Sequence, residues 1–305
     1  MKSVVSYPDR GVGGSNKYRG NCSPKLIEDI LNQWNIKYLS DYMVGSGTTE
    51  DVCQRMAVPG TFLDLNRGFD MMSMEIPERA GNIFWHPPYD SIITYSDVMY
   101  SAQGVIDQFG FDPRTNDLSR CQNWQEFVKK MNYCCLKQFM SMEKGGRMFI
   151  LMGDVKKRGK LYSMLLDIAK PGSVEQIIIK TQHNCWSGRQ IYSGKFVPIV
   201  HEYLLVLRKD AAMVFPVQLT RNACCDIRDS VRATWRDIVA SIMEDSNGPM
   251  PLKAIYQKVE GHKRCALNKD WQAKIRQVLQ RYPDFTAVSR GVWAMQYAPC
   301  TESAD

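Results

Sequence analysis

The residues best suited to chemistry form a short motif, His86-Pro87-Pro88-Tyr89, directly after an apolar segment. The two prolines stiffen the backbone and lack amide hydrogens, so nearby carbonyl groups can accept hydrogen bonds from an amino group. Tyr89 offers a ring on which a planar base can stack. A neutral His86 can accept a further hydrogen bond through one ring nitrogen. The same motif is also compatible with a plain structural turn.

A glycine-rich turn, Gly45-Ser46-Gly47-Thr48-Thr49, lies about 40 residues earlier, four residues after Asp41. Glycines let the backbone pass close to a ligand, and a helix that starts here would attract a carboxylate or phosphate to its N-terminus. The turn lacks the third glycine of a dinucleotide fingerprint and the Gly-Lys-Ser/Thr of a P-loop. The sequence therefore disfavours both of those ligand classes.

Two further acids follow this turn. Asp64 ends the next strand-like segment, where a carboxylate can accept both hydroxyls of a ribose. Asp70 is close enough in sequence to reach an adenine amino group. Each is equally compatible with a structural role, Asp64 as a polar strand end and Asp70 as a solvated loop residue.

These motifs need elements to position them. Up to about residue 210, strand-like and helix-like segments alternate, which predicts a mostly parallel sheet covered by helices on both faces. Predicted strands are 36–44, 61–66, 82–85, 147–152, 175–180 and 201–208, and predicted helices are 48–56, 124–142 and 161–169. Near residue 226 the pattern changes to three helices, 231–243, 252–259 and 268–282, followed by a hairpin of 285–288 and 292–295. This order is typical of a winged helix-turn-helix.

Together the motifs resemble the S-adenosylmethionine-dependent DNA amino-methyltransferases, which modify N6 of adenine or N4 of cytosine. The similarity covers about residues 17 to 210. The resemblance implies a Rossmann-like methyltransferase sheet with a closing antiparallel strand, residues 201–209. It also implies that His86, Pro87, Pro88 and Tyr89 form the catalytic motif. The cofactor-binding residues that it implies are Ser23, Lys25, Asp41, Gly45, Ser46, Gly47, Thr48, Thr49, Asp64 and Asp70.

Two positions depart from the family pattern. Tyr42-Met43 replaces Pro-Phe, and His86 stands where the family has Asp, Asn or Ser. That family residue accepts a hydrogen bond from the target amino group, so we expect His86 to act when neutral. Activity should then fall as pH drops through the pKa of His86, which is near 6.5 for an unperturbed ring. The target base would leave the DNA stack to reach the methyl group. Adenine is favoured over cytosine by its frequency in the family, and neither a catalytic cysteine nor a metal is expected.

The sequence motifs give less information about which residues contact DNA. The basic run Lys156-Lys157-Arg158 is either a DNA contact or a solvated loop, and the same alternatives apply to 182–190. Residues 228–297 contain 12 Lys and Arg against 7 Asp and Glu, and so carry +5 of the total charge of +7. Lys269, Lys274 and Arg276 on the third helix and Arg290 in the wing are the predicted contacts. Winged helices also bind proteins, and that alternative stays open.

Composition sets the outer limits. The chain has 305 residues with 44% hydrophobic and 23% charged residues, which excludes a disordered or collagen-like protein. No long apolar run, no secretory signal and no Cys-x-x-Cys is present, so we expect a cytoplasmic protein with free thiols and no membrane partner. We predict a methyltransferase domain, 1–215, and a winged-helix domain, 226–298.

The predicted function is site-specific methylation of double-stranded DNA, within or derived from a restriction-modification system. A restriction endonuclease or a second copy of the chain is a further possible partner. The alternatives are an RNA or protein-glutamine methyltransferase, and a DNA-binding regulator whose catalytic domain is degenerate, as the unusual His86 suggests.

Overall fold

A computed structural model describes residues 1–15, 17–183, 197–221, 223, 225–227, 230, 233–246 and 248–296. The chain divides into two compact units, Met1–Thr220 and Arg221–Asp305. The strands are β1 Val4–Ser6, β2 Asn82–Trp85, β3 Arg147–Met152, β4 Asp154–Lys157, β5 Lys160–Ser163, β6 Lys170–Pro171, β7 Ser173–Thr181, β8 His201–Arg208, β9 Val217–Gln218, β10 Met250–Pro251, β11 Phe285–Ser289 and β12 Val292–Met295. The helices are α1 Pro24–Gln33, α2 Thr48–Arg55, α3 Tyr95–Val98, α4 Ala102–Phe109, α5 Trp124–Ser141, α6 Met164–Asp167, α7 Trp235–Glu244, α8 Leu252–Val259, α9 Lys263–Leu267 and α10 Trp271–Arg281.

The first unit is built on a five-stranded sheet with the order β1-β7-β8-β3-β2. The pairs β1/β7 and β2/β3 are parallel, and β8 runs antiparallel to both of its neighbours. Parallel bridges from Ser40 to Ile83 and from Asp41 to Phe62 continue the sheet beyond β2. The predicted fold class, a mostly parallel α/β sheet with one antiparallel closing strand, is confirmed.

Both faces of strands β2, β3 and β8 are buried, which explains why these strands read as continuous apolar runs. Ile83, Trp85 and Ile150 face one core, which α5 completes with Phe127, Met131, Cys134, Cys135 and Phe139. Phe84 and Phe149 face the other core, which α1 and α2 complete with Leu26, Ile27, Ile30, Val52 and Cys53. The side-chain period of two along each strand therefore divides one apolar run between two cores.

Three predicted elements of this unit differ from the structure. Residues 161–169 do not form one helix, because Arg158 and Gly159 take positive φ angles and turn the chain into the β4–β5 hairpin. Only Met164–Asp167 is helical there, capped by the Ser163 hydroxyl. The predicted strands 36–44 and 61–66 shrink to the isolated bridges at Ser40–Asp41 and Phe62.

The second unit places its elements in the order helix, strand, helix, helix, helix, hairpin, with the strand order β10-β12-β11. A capping box between Thr234 and Asp237 begins α7. Residues 231 and 232, which the sequence predicted as the start of this helix, lie outside the described residues. Ile275, Val278 and Leu279 lie on one face of α10 and are buried in the core of the unit.

Candidate active site

The glycine-rich turn and the proline motif reach the same edge of the sheet. Ser40 and Ile83 pair in parallel, so the segments that follow them leave the sheet at the same end. One segment becomes the turn Gly45–Gly47, where both glycines have positive φ angles of 56° and 88°. Gly47 is then the N-cap of α2. The other segment becomes His86–Tyr89.

A cavity of about 100 Å³ lies between these two segments. It is lined by seven of the ten residues that we predicted for cofactor binding, together with two residues of the proline motif. The predicted residues along its wall are Asp41, Gly45, Ser46, Thr48, Thr49, Asp64, Asp70, His86 and Pro88. Ser23, Lys25 and Gly47 do not line it. The Ser23 hydroxyl donates to the carbonyl of Arg10 at 2.9 Å, and Lys25 forms an ion pair with Asp9 at 2.6 Å.

Two buried carboxylates hold the backbone around this cavity. Asp64 accepts hydrogen bonds from the N–H groups of Gly45 at 2.8 Å and Asn66 at 3.0 Å. Asp41 accepts from the N–H of Met43 at 3.0 Å and the hydroxyl of Thr49 at 2.7 Å. Burial raises the pKa of Asp41 to about 7 although these hydrogen bonds oppose the shift, and burial also raises the pKa of Asp64. A donor or a positive charge in the cavity would therefore be favoured.

The N-terminus of α2, in contrast to the two carboxylates, favours an anionic group in the cavity. The hydroxyl oxygen of Thr48 is buried beside the cavity and has no hydrogen-bond partner among the described residues. It lies in the first turn of α2, where the N–H groups of the helix face outward. A ligand with an anionic group would satisfy both features.

Asp70 lines the cavity, but its oxygens already hold its own loop. They accept from the N–H of Met72 at 2.9 Å, the hydroxyl of Ser73 at 2.6 Å and the amide of Asn116 at 2.5 Å. Its predicted contact with an adenine amino group stays a prediction.

The proline motif belongs to a buried polar network. Nε2 of His86 lies 3.0 Å from the Tyr89 hydroxyl, and that hydroxyl donates to Oε1 of Glu202 at 2.8 Å. Oε2 of Glu202 accepts from Lys180 at 2.6 Å. Burial lowers the pKa of His86 to about 4, with Glu202 opposing the shift, so the imidazole is neutral at neutral pH. The pKa near 6.5 of an unperturbed imidazole therefore does not apply to His86, because burial lowers it.

A second cavity, of about 560 Å³, is also lined by His86. Tyr89 and Pro87 line it together with Gly153, which follows β3. A Cβ atom on Gly153 would lie 2.7 Å from the Tyr89 ring, so only glycine leaves the ring in place. Basic side chains also line this cavity, namely Lys156, Lys157, Lys180, His183 and His201. His86 is thus shared between two cavities of different character.

Asp90, directly after the motif, connects it to the basic hairpin. This buried residue has a φ of 50°, which non-glycine residues seldom adopt, and its carboxylate pairs with the ammonium of Lys157. Lys157 also donates to the Ser91 hydroxyl at 2.7 Å, and Lys156 donates to the carbonyl of Val197 at 2.6 Å. Two of the three predicted basic contacts thus bind protein atoms, while Arg158 is exposed at the hairpin turn.

Sequence reasoning did not identify Glu202, Lys180, Gly153 or Asp90 as part of this site. The signal for the first two was present, because each is a charged residue inside or at the end of a strand that is otherwise apolar. Residues 184–190 of the predicted substrate-side segment lie outside the described residues.

The second unit carries the other predicted DNA contacts. Lys269, Arg276 and Arg290 are exposed, and Lys274 is half-buried. Lys274 donates to the amide oxygen of Gln277 at 2.7 Å, and Arg276 donates to the Tyr256 hydroxyl at 2.9 Å. In the portions of the chain that are described, no group of three or more His, Cys, Asp and Glu could hold a metal ion. None of the described helices is both long and apolar enough to cross a membrane.

No protein-family model and no curated protein matches the chain. Among solved structures it is similar to TrmN from Thermus thermophilus, at 13% identity over 63% of this chain and 50% of that chain, with a TM-score of 0.29. It is similar to SAM-bound CalS10, an amino pentose methyltransferase from Micromonospora echinaspora, at 9% identity over 47% and 62% of the two chains, with a TM-score of 0.25. An rRNA methylase from Streptococcus thermophilus matches at 10% identity over 61% and 95%, with a TM-score of 0.27. The chain spans about half the length of TrmN.

Proposed function

We propose that this protein is an S-adenosylmethionine-dependent methyltransferase that acts on the exocyclic amino group of a base in double-stranded DNA, adenine N6 in preference to cytosine N4. One observation carries the proposal. His86 lines both a cavity formed by the glycine turn and a wider cavity that is also lined by the Tyr89 ring and basic side chains. A methyl donor bound in the first cavity and a base bound in the second would therefore both lie next to His86.

The first cavity fits S-adenosylmethionine by the chemistry of its walls. Asp64 would accept the ribose hydroxyls, and Thr48 with the N-terminus of α2 would hold the carboxylate of the methionine part. Buried carboxylates nearby favour the positive charges of this cofactor. When bound, S-adenosylmethionine supplies an electrophilic methyl group.

The residues of the second cavity would hold the amino group. Tyr89 offers its ring to the base, and the neutral His86 accepts a hydrogen bond from the amino group, with the Pro87 carbonyl as a second acceptor. Accepting hydrogen bonds from the two N–H groups raises the electron density on the amino nitrogen and aligns it for attack, and the nitrogen would release one proton once it has gained the methyl group. Catalysis of this kind depends on position and electrostatics and needs no covalent enzyme intermediate.

DNA as the substrate is supported by charge. The segment 228–297 carries +5 of the total +7, and exposed Lys269, Arg276 and Arg290 lie on or beside α10 and at the hairpin turn. The described part of this unit has a short helix, α9, between the second and third predicted helices, and its order of helices followed by a hairpin fits a winged helix whose last helix, α10, enters a major groove. We therefore include a DNA-binding role for this unit in the proposal.

Two measurements on the purified protein test the proposal. Calorimetry with S-adenosylmethionine should show binding, and tritiated methyl groups should pass to duplex DNA more readily than to RNA or to a glutamine-containing protein. Cofactor binding with transfer to RNA or protein only would replace DNA by that substrate. DNA binding without cofactor binding would instead indicate a regulator with a degenerate catalytic domain.

A further inference from the structure

The network behind the proline motif determines which nitrogen of His86 carries its proton. Glu202 is 7% exposed and Lys180 is 8% exposed, and the two residues are register partners on β8 and β7. Burial raises the pKa of Glu202, but the Lys180 ammonium and the other partners outweigh burial, so its net pKa lies below the ordinary value. Glu202 is thus an ionised carboxylate that can only accept hydrogen bonds.

The position of each proton in the network can then be assigned, starting from the Glu202 carboxylate. The Tyr89 hydroxyl has one proton, and it lies 2.8 Å from the carboxylate that accepts it. The Tyr89 oxygen can therefore only accept from His86, whose Nε2 is 3.0 Å away. Nε2 must carry the single proton of the neutral ring. Nδ1 is left with a lone pair, and the hydrogen bond that His86 forms with a described side chain is made by Nε2.

A buried ion pair at this place needs an explanation other than stability. Replacing such a pair by apolar residues is often neutral or stabilising, so a buried pair is weak evidence for a stabilising role. Here Glu202 accepts a hydrogen bond from the Tyr89 hydroxyl, which also contacts His86, and Lys180 and Glu202 line the second cavity. Their charges are placed to keep the Tyr89 proton on the side of the carboxylate.

We propose that Lys180, Glu202 and the Tyr89 hydroxyl are positioning residues that hold His86 in its Nε2–H form, so that Nδ1 is the atom that accepts the hydrogen bond from the substrate amino group. This deepens the proposed function and rests on it for the identity of the substrate. The tautomer itself is a property of the protein without any ligand.

The first test is nitrogen NMR on protein with 15N-labelled histidine, with the His86 signals assigned by comparison with His86→Asn. At pH 7, Nε2 should show the shift of a protonated nitrogen and Nδ1 that of an unprotonated one. In Glu202→Gln the acceptor is no longer charged, so a fraction of the Nδ1–H form should appear. A wild-type ring with its proton on Nδ1, or a tautomer that is the same in Glu202→Gln, would overturn the proposal.

The second test separates positioning from folding. Tyr89→Phe keeps the ring and removes the hydroxyl, and it should lower kcat by roughly two- to tenfold, the range that one hydrogen bond supplies, with KM and cofactor affinity near wild type. Tyr7→Phe is the matched control, because it removes a tyrosine–carboxylate hydrogen bond of 2.6 Å to Asp29 on α1. Equal kcat values in the two variants would overturn the positioning role. Failure of the wild type to transfer methyl groups would count against the proposed function and leave the NMR result to be judged by itself.

Discussion

His86 is a partly buried imidazole, and its protonation is linked to folding. Burial lowers its folded pKa to about 4, whereas the unfolded chain titrates near 6.5. The unfolded state therefore takes up the proton first as pH falls. Between pH 7 and pH 4 this residue should remove about 3 kcal/mol from the free energy of unfolding.

His86→Asn keeps an acceptor and has no titration in that range, so it isolates this effect. Urea unfolding should show the stability of wild type falling relative to His86→Asn across this range. By the same reasoning, activity should have no acid limb near 6.5 that belongs to His86. Such a limb in wild type, absent in His86→Asp, would show that the ring is solvated.

Gly47 and Asp64 test the cofactor cavity one residue at a time. Gly47 has a φ of 88°, and a Cβ there would lie 3.2 Å from Nη2 of Arg67, so Gly47→Val should distort the turn. Asp64→Ala removes the proposed ribose acceptor. Calorimetry should show that each variant binds the cofactor at least roughly tenfold more weakly than wild type, since a charge-assisted hydrogen bond contributes about 1.5–3 kcal/mol.

The matched control for the turn is Gly110→Val. Gly110 has a similar φ of 75°, but a Cβ there meets no atom within 4 Å. It should keep wild-type affinity for the cofactor. Unchanged affinity in both Gly47→Val and Asp64→Ala would remove the cofactor assignment.

At the scale of elements, the β4–β5 hairpin supports the segment that follows the proline motif. Lys157 pairs with buried Asp90 next to Tyr89, whereas Arg158 at the turn is exposed. Lys157→Met should destabilise the fold by roughly 1–2 kcal/mol and lower kcat, while Arg158→Met should weaken DNA affinity alone. Urea unfolding and steady-state kinetics on both variants check this. If the two variants differ from wild type only in DNA affinity and by the same amount, Lys157 is a plain DNA contact.

A comparison of individual elements shows how much of the fold can be predicted from the sequence. The strands 82–85, 147–152 and 201–208 could be predicted residue for residue, because apolar runs buried on both faces allow few alternatives. The helix predicted at 161–169 failed because strand pairing across the Arg158–Gly159 turn outweighs helical periodicity. The Lys180–Glu202 pair was missed since a register between two strands 20 residues apart is a tertiary property.

At the scale of the whole molecule, the two units should separate cofactor binding from DNA binding. Deleting Arg221–Asp305 removes the positively charged segment and leaves the first unit, with both cavities, as a compact body. Calorimetry should give nearly unchanged cofactor affinity, and duplex DNA should bind more weakly with a smaller dependence on salt. If the truncated protein binds DNA with the same affinity and salt slope, the second unit is better interpreted as a protein-interaction module.

The central claim is that the two cavities meet at His86 to transfer a methyl group to a base. Duplex DNA incubated with S-adenosylmethionine and the protein should be digested to nucleosides and analysed by mass spectrometry, with Tyr89→Ala as the paired variant. The claim predicts N6-methyladenine with wild type and a strong loss with Tyr89→Ala, at unchanged cofactor affinity, because stacking on the ring is worth about 1–3 kcal/mol. Methylated amino bases formed equally by both proteins, or absent from both while the cofactor is bound, would contradict it.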